Sequence, residues 1–345
     1  MIYEYCVIGN GLIGAAAALA LARKSPSVCV LGAAYGEQNH YFSSHEDDSR
    51  IARYWHSDTY WEHLARRNAV LLQELAQTTA LPLFRPAPVL YRYCSQQTAP
   101  AASVVQRNGD RSLAPQFEYK DQWGGIIQPK AYIAALNTEA GKHGAVVIQC
   151  IVQEITSSAA GYTVSTTAGP IQARHVLEAR GIHFDPETAP PGLKVVGKVV
   201  LYTESEINET CSPYCFVDSS IRSHQFDDAY GIVHYKTCAG KIISKFGFSE
   251  RKPVTLESAE EIAAWFQTDY QNYPYISQAA ELVRMRFASP HSRIIDAKPC
   301  AFVHTPDARP MISMDKRRCV IVGCNGMAAK CCQALAEEAL TRWNI

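Results

Sequence analysis

Apolar residues at the start of the chain change their period twice within a short span. Tyr3 to Ile8 (YEYCVI) is an apolar run rich in β-formers, GNGLIG follows, and Ala15 to Ala22 is apolar on every side. This pattern predicts a strand, a glycine turn and a buried helix with hardly a gap between them. Ser27 to Leu31 (SVCVL) then reads as the next parallel strand. The polar stretch Ser43 to Tyr54 (SSHEDDSRIARY), with Asp48 or Ser49 as N-cap, predicts a helix that begins near Arg50 and runs on through Trp61, Leu64, Leu71 and Leu75.

Residues 81–135 are punctuated by proline and β-like, which marks a departure from the first unit. A helix from Tyr132 to His143 ends at Gly144, and AVVIQCIVQEI, Tyr162 to Thr167 and Ile171 to Ala173 read as strands and a hairpin. His175 to Gly181 (HVLEARG) reads as a strand returning to the first unit, Gly181 permitting close backbone approach. Further strands are expected at Lys198 to Tyr202, Tyr230 to Tyr235 and Lys241 to Phe248, and helices at Glu257 to Trp265 and Ile276 to Arg284. The chain closes with a strand CVIVG, a second glycine turn GCNGMAAK and a helix to Trp343.

Gly9, Gly11 and Gly14 form G-x-G-x-x-G between strand and helix, the context in which that spacing carries meaning. Gly9 makes the tight turn, Gly11 lets a pyrophosphate approach the backbone, and Gly14 lets the helix pack on the strand. The acid that usually binds a ribose after the second strand is absent: Gly32 stands there, and Glu37 is the nearby substitute. Arg50 and Arg53, expected three apart on one helix face, suit an anionic ligand, with a surface ion pair to Glu46–Asp48 as the plain alternative. Lys241 and Lys245 share one face of their strand, and spacing alone does not choose between them. The N-terminus of the closing helix can offer N–H groups to an electron-rich carbonyl near Gly323 to Lys330.

With 345 residues there is room for two domains, and Lys plus Arg equals Asp plus Glu at 33 each. That balance recommends neither nucleic acid nor an anionic membrane as partner. The N-terminal apolar run is broken by Gly-Asn-Gly and lacks a basic flank, so neither signal peptide nor membrane span is expected, and the location expected is cytoplasmic. Twelve cysteines show no zinc spacing, no metal site is expected, and most read as buried thiols.

GNGLIG, DDSRIAR, SKFGF, PCAFVHTPDARPMI and VGCNGMAAK, in this order, resemble the D-amino-acid-oxidase-like FAD superfamily, in particular the monomeric sarcosine oxidase and N-methyltryptophan oxidase branch. The resemblance implies an α/β fold: a Rossmann-like FAD-binding domain (1–80, 140–198 and 315–345) interleaved with an α+β substrate domain on a mixed or antiparallel sheet (81–139 and 199–314). It implies FAD contacts from Gly9, Gly11, Leu12, Ile13, Gly14, Ser49, Arg50, Val152, Gly181, Cys300, Gly326, Met327 and Lys330. By the same resemblance Arg50 is expected to lie against the flavin, and Arg53 and Lys330 to share the substrate carboxylate. Cys300 matches the cysteine that carries the flavin through a thioether, with a buried structural thiol as the alternative. Lys245 matches the oxygen-activating lysine, with Lys241 as fallback.

Phe302, Met327 and Ser249 replace a tyrosine and two histidines that line the substrate pocket in that branch, so a substrate of sarcosine's size and polarity is not expected. The activity implied is oxidation of an amino-acid-like substrate, a secondary amine or N-alkyl or cyclic amino acid. On that reading hydride would pass to flavin N5 to give an imine, and O2 would be reduced to H2O2. The partners implied are that small molecule and O2, with no obligate protein partner. The alternatives are a flavoprotein dehydrogenase or monooxygenase of the same fold, a nicotinamide-linked dehydrogenase, or a flavin-binding protein without turnover. A late Gly-Asp pair would have favoured an aromatic hydroxylase or halogenase, and GCNGMAAK lacks it.

Overall fold

The computed structural model describes residues 1–33, 42–45, 49–93, 105–107, 116–121, 123–185, 191–204, 212–221, 225–237, 240–270, 274–286 and 293–345. In chain order these give β1 (Ile2–Ile8), α1 (Leu12–Ala22), β2 (Val28–Gly32), β3 (Arg50–Ala52), α2 (Thr59–Thr78), β4 (Phe84–Pro86), β5 (Val89–Tyr93), β6 (Val105–Arg107), β7 (Gln116–Asp121), β8 (Gly125–Ile127), α3 (Pro129–Lys142), β9 (Val146–Gln149) and β10 (Val152–Ser158). There follow β11 (Gly161–Thr166), β12 (Ile171–Glu178), β13 (Lys194–Glu204), β14 (Tyr214–Asp218), β15 (Phe226–Lys236), β16 (Ile242–Glu250), β17 (Val254–Leu256), α4 (Ala259–Gln267), α5 (Pro274–Arg286), β18 (Arg293–His304), β19 (Met311–Met314), β20 (Arg318–Val322) and α6 (Ala328–Arg342).

Among the described residues the strands form three sheets. The first has the order β10-β11-β12-β1-β2-β9, with β20 on β12 and β19 on β20. β1 lies parallel to both β2 and β12, and β20 runs parallel to β12 through Val176↔Arg318 to Glu178↔Val320. Helix α1 explains why this sheet can be covered so closely. It is buried all round except at Ala20, and its alanines let α3, α6 and the sheet approach from different sides. A larger residue at most of these positions would have to push a helix away, which cores resist.

The second sheet runs β17-β13-β16-β15-β14-β5-β7-β6 with β18 on β13, antiparallel throughout except at β5–β14. The third, β3-β8-β4, is a small antiparallel patch. The fold class expected from the sequence is thus the one found: a mixed α/β molecule with a parallel-cored sheet and a second, largely antiparallel one.

Three local expectations need correction. The helix expected to begin near Arg50 is instead strand β3, paired to β8 through Arg50↔Ile127 and Ile51↔Ile126, and entered from Ser49 at φ +56°. Helix α2 starts at Thr59, where the Asp58 side chain accepts a hydrogen bond from Tyr60 N at 2.9 Å. Arg50 and Arg53 therefore share no helix face; the acidic loop had suggested a cap several residues too early. The hairpin arm at Ile171 and the returning strand at His175 are one continuous β12. Lys241 precedes β16 and is exposed, so it does not share a strand face with Lys245. Glu37 and Glu46–Asp48 lie outside the described residues.

No described helix is long and apolar enough to cross a membrane. No cluster of metal-ligating side chains occurs among the described residues.

Candidate active site

The loop after β1 turns at Gly9 (φ +106°), where an added Cβ would lie 2.4 Å from Ala179 O. At Gly14 the Cβ would fall 1.7 Å from Gly9 O, so helix α1 sits directly against the turn. Gly11 differs: its nearest neighbour is the His45 ring at 3.7 Å, and Gly9, Gly11, Leu12 and Ile13 line a cavity of about 430 Å3. No described side chain caps α1, which leaves its first-turn N–H groups for an anion.

A second strand–glycine-turn–helix unit, β20 to α6, enters the same cavity. Gly323, Asn325 and Gly326 all have positive φ (+78°, +48° and +72°). Asn325 tightens the turn: its Oδ1 accepts from Thr305 N at 3.0 Å, and its Nδ2 donates to Gly323 O at 2.6 Å. Met327 and the first turn of α6 then bring Lys330 to the cavity wall. Burial, with Arg53 adding to it, lowers the Lys330 amine to about 7. Burial, Arg53 and Lys330 lower His56 to about 3, so this imidazole is neutral.

Arg50 and Arg53 reach the cavity from β3 and the turn behind it. Arg50 Nη1 donates to Ser49 O at 2.8 Å, and its Nη2 donates to Ser44 O. Asp121, buried at the end of β7, accepts from Tyr54 N at 3.1 Å and so pins the backbone next to Arg53. The Arg53 guanidinium lies 6.0 Å from the Tyr91 ring centre.

The facing wall is the second sheet, and the two-residue period of its strands decides what it presents. Cys300 and Phe302 come from β18, Lys198 and Val200 from β13, Lys245 and Ser249 from β16, Asp228 and Tyr230 from β15. Gly247, between Lys245 and Ser249, is needed because a Cβ there would meet the Tyr230 ring at 2.4 Å. Lys245, buried, donates to Ser49 O at 3.1 Å and thus ties this wall to the Arg50 segment. Lys198 Nζ donates to Phe248 O at 3.0 Å and pairs with Glu250 Oε2 at 2.7 Å. Burial raises the Asp228 carboxyl, opposed by the hydrogen bond from Ser249 and the charges of Lys198 and Arg53.

A second cavity of about 730 Å3 adjoins the first; Gly9, Arg180, Ile182 and His183 line both and mark the neck between them. Gly32 and Val152 line the second cavity. An acid at position 32 would not fit, since a Cβ there would lie 2.5 Å from Asn10 Cβ. Two rooms joined at the first glycine turn, with uncapped helix N–H groups beside the neck, fit an extended dinucleotide whose pyrophosphate rests there. Ser49 Oγ is buried and without a hydrogen-bond partner among the described residues, and it lines neither cavity.

Of the residues singled out in the sequence, Arg50, Arg53, Lys245, Cys300, Phe302, Gly326, Met327, Lys330 and Gly181 meet at the first cavity. Gly14 shapes the turn from behind, Val152 belongs to the second cavity, and Ser49 lies beneath the first as the shared acceptor of Arg50 and Lys245. Asp228, Tyr230, Lys198 and His56 join the site without a motif of their own. The one signal for the first two was the alternation Asp228, Tyr230, Ile232, which appears once the strand is begun at Phe226 rather than Tyr230.

The family model described as FAD dependent oxidoreductase (DAO) matches residues 4–341. No protein of curated function matches the chain closely in sequence. Among solved structures, NikD, an unusual amino acid oxidase essential for nikkomycin biosynthesis, superposes with a TM-score of 0.78 at 17% identity, covering 99% of this chain and 96% of that one. L-proline dehydrogenase from P. horikoshii gives 0.71 at 15% identity, with 98% and 92% covered. Glycine oxidase from Geobacillus kaustophilus gives 0.67 at 14%, with 99% and 94% covered.

Proposed function

Since the chain belongs to the DAO family of FAD-dependent oxidoreductases, we propose that it is an oxidase of an amino-acid-like substrate bearing a secondary or cyclic amine. The observation that carries this reading is the meeting of Arg53 and Lys330, from distant segments of the chain, on one wall of a desolvated cavity. Two cations placed together are unfavourable unless an anion joins them, and a carboxylate is the anion whose geometry a guanidinium fork matches. The neutral His56 behind them adds no third charge.

FAD supplies the two-electron acceptor. The residues of this chain do the positioning. Gly9, Gly11, Leu12, Ile13 and the α1 N-terminus would hold the pyrophosphate, while Arg50, Gly181, Gly326 and Met327 would border the ring system. Arg53 and Lys330 would fix the carboxylate, which sets the carbon next to it. Lys245 would present a buried cation where dioxygen gains electrons, and low dielectric strengthens that charge. Cys300 is the candidate for a thioether to the cofactor. Phe302 and Met327 would add apolar surface to the substrate pocket. The shared sheet of β1, β2, β9 to β12 and β20 supports a cofactor domain of 1–80, 140–198 and 315–345, with the boundary at 198 falling within β13.

Peroxide release across a panel of N-methyl and cyclic amino acids tests the reading, with Arg53→Ala expected to raise KM about 100-fold. Release of no peroxide while the flavin is still bleached by substrate would make the protein a dehydrogenase instead. Flavin colour that stays with the acid pellet, and leaves it in Cys300→Ser, is the expected result for covalent attachment.

A further inference from the structure

The carboxylate clamp accounts for one end of an amino acid and leaves its nitrogen without a partner. Near neutral pH that nitrogen is an ammonium, which has no lone pair to form C=N as the α-hydrogen departs. A proton must therefore go somewhere first. Among the described residues lining the first cavity, Asp228 supplies the one carboxylate. The histidines there are engaged elsewhere: His45 Nδ1 with Ser43 Oγ, and His183 Nε2 with Phe42 O at 2.8 Å. Burial keeps the Tyr230 hydroxyl protonated.

Asp228 is also placed for the task. It stands on β15, cross-strand from Ser249 on β16, whose hydroxyl donates to it. Lys198 from β13 and Arg53 from across the cavity face it; Asp227 is its exposed neighbour and Tyr230 shares its strand face. An ionised carboxylate offers about four acceptor positions, so Ser249 leaves room for an ammonium. Arg53 and Asp228 sense each other's charge, so one small zwitterion between them would meet a cation with its carboxylate and an anion with its nitrogen.

Resting on the amino-acid reading above, we infer that Asp228 receives the substrate nitrogen: its carboxylate hydrogen-bonds the entering ammonium and takes one proton from it. An N–H bond breaks, an O–H bond forms on Asp228, and no electron moves; the amine then lies neutral. The raised proton affinity of this half-buried carboxyl favours the transfer. Lys330 is the rival acceptor, but the carboxylate it binds stabilises its protonated form.

The test uses the holoenzyme and the panel amino acid that bleaches the flavin fastest without oxygen, followed by stopped-flow absorbance from pH 6 to 10. Wild type should give a bleaching rate per unit concentration that is nearly flat above neutrality. Asp228→Asn keeps the shape and the Ser249 contact, and flavin content and Tm check its fold. It should lose about 100-fold at pH 7 and recover about tenfold per pH unit as free amine accumulates. Asp228→Glu should restore part of the flat profile. An unchanged profile in Asp228→Asn overturns the inference, as does a profile altered in the same way by Lys330→Met but not by Asp228→Asn. If Arg53→Ala leaves the apparent Kd unchanged, the carboxylate reading fails while Asp228 is judged on its own pH profile. If no panel member bleaches the flavin, both fall together.

Discussion

Two strand–glycine-turn–helix units, β1 to α1 and β20 to α6, flank β12 in the same sheet, and their glycines do different work. In the first, the atoms a Cβ would strike are backbone atoms: Ala179 O for Gly9 and Gly9 O for Gly14. In the second, Gly326 has nothing within 4 Å of its Cβ position, and positive φ alone selects it. The first unit brings no charged side chain to the cavity, only backbone N–H groups. The second brings Lys330. One turn is a seat made of main chain, the other a bracket that aims a side chain.

This contrast can be broken most severely at Gly14. Gly14→Ala must move α1 or the turn, and is expected to cost about 3 kcal/mol or more, or to yield protein without flavin; Tm and flavin absorbance per chain measure it. Next is Lys330→Met, expected to raise KM for an amino acid about 30-fold while flavin content stays normal, since a charge-assisted bond is lost and the turn is kept. If flavin is lost as well, the bracket is part of the seat.

Protonation sharpens the same point. Lys330 has its folded value lowered from 10.5 to about 7, so between these values the unfolded chain holds more protons and stability rises with pH. A carboxylate ligand favours the charged amine, so its binding should take up protons from about pH 7 upward; calorimetry in buffers of different ionisation heat reads this. His56 behaves alike at lower pH. Its folded value near 3 means its contribution to stability is lost as pH falls below 6.5, and His56→Gln should flatten that acid limb. The smallest effect is expected at Gly326→Ala: about 1 kcal/mol from φ +72°, a Tm lower by a few degrees, and no loss of flavin.

The main-chain seat was legible in the sequence because its parts are adjacent: three glycines within six positions, a β-run before them and an apolar helix after. The second glycine turn is legible in the same way, but the roles expected of Lys330 and Cys300 rest on family resemblance alone. Asp228 and Tyr230 were not reached, because their place on the cavity wall depends on the register of β15 against β16, including its irregularity between Ile232 and Tyr235. A period of two assigns faces once a strand's limits are known, and those limits came from pairing partners far along the chain. Arg50 lies in a strand where its local sequence predicts a helix, for a related reason. Local capping chemistry suggested a helix, and pairing with β8, beyond residue 120, made it a strand.

The position of β12 between β1 and β20 bears on how the protein is made. On the ribosome the first glycine motif emerges well before most of what it packs against, with only β2 close to it in sequence. Its other neighbour, β12, lies some 170 residues downstream, and α6, which packs on α1 and α2, lies further downstream still. The nascent chain thus carries an unfinished parallel edge until β12 has been made, the interval in which pairing with a foreign strand is easiest. The seat of the cofactor closes only when β20 and α6 arrive, so loading of the flavin would report that these two segments have been made and have docked.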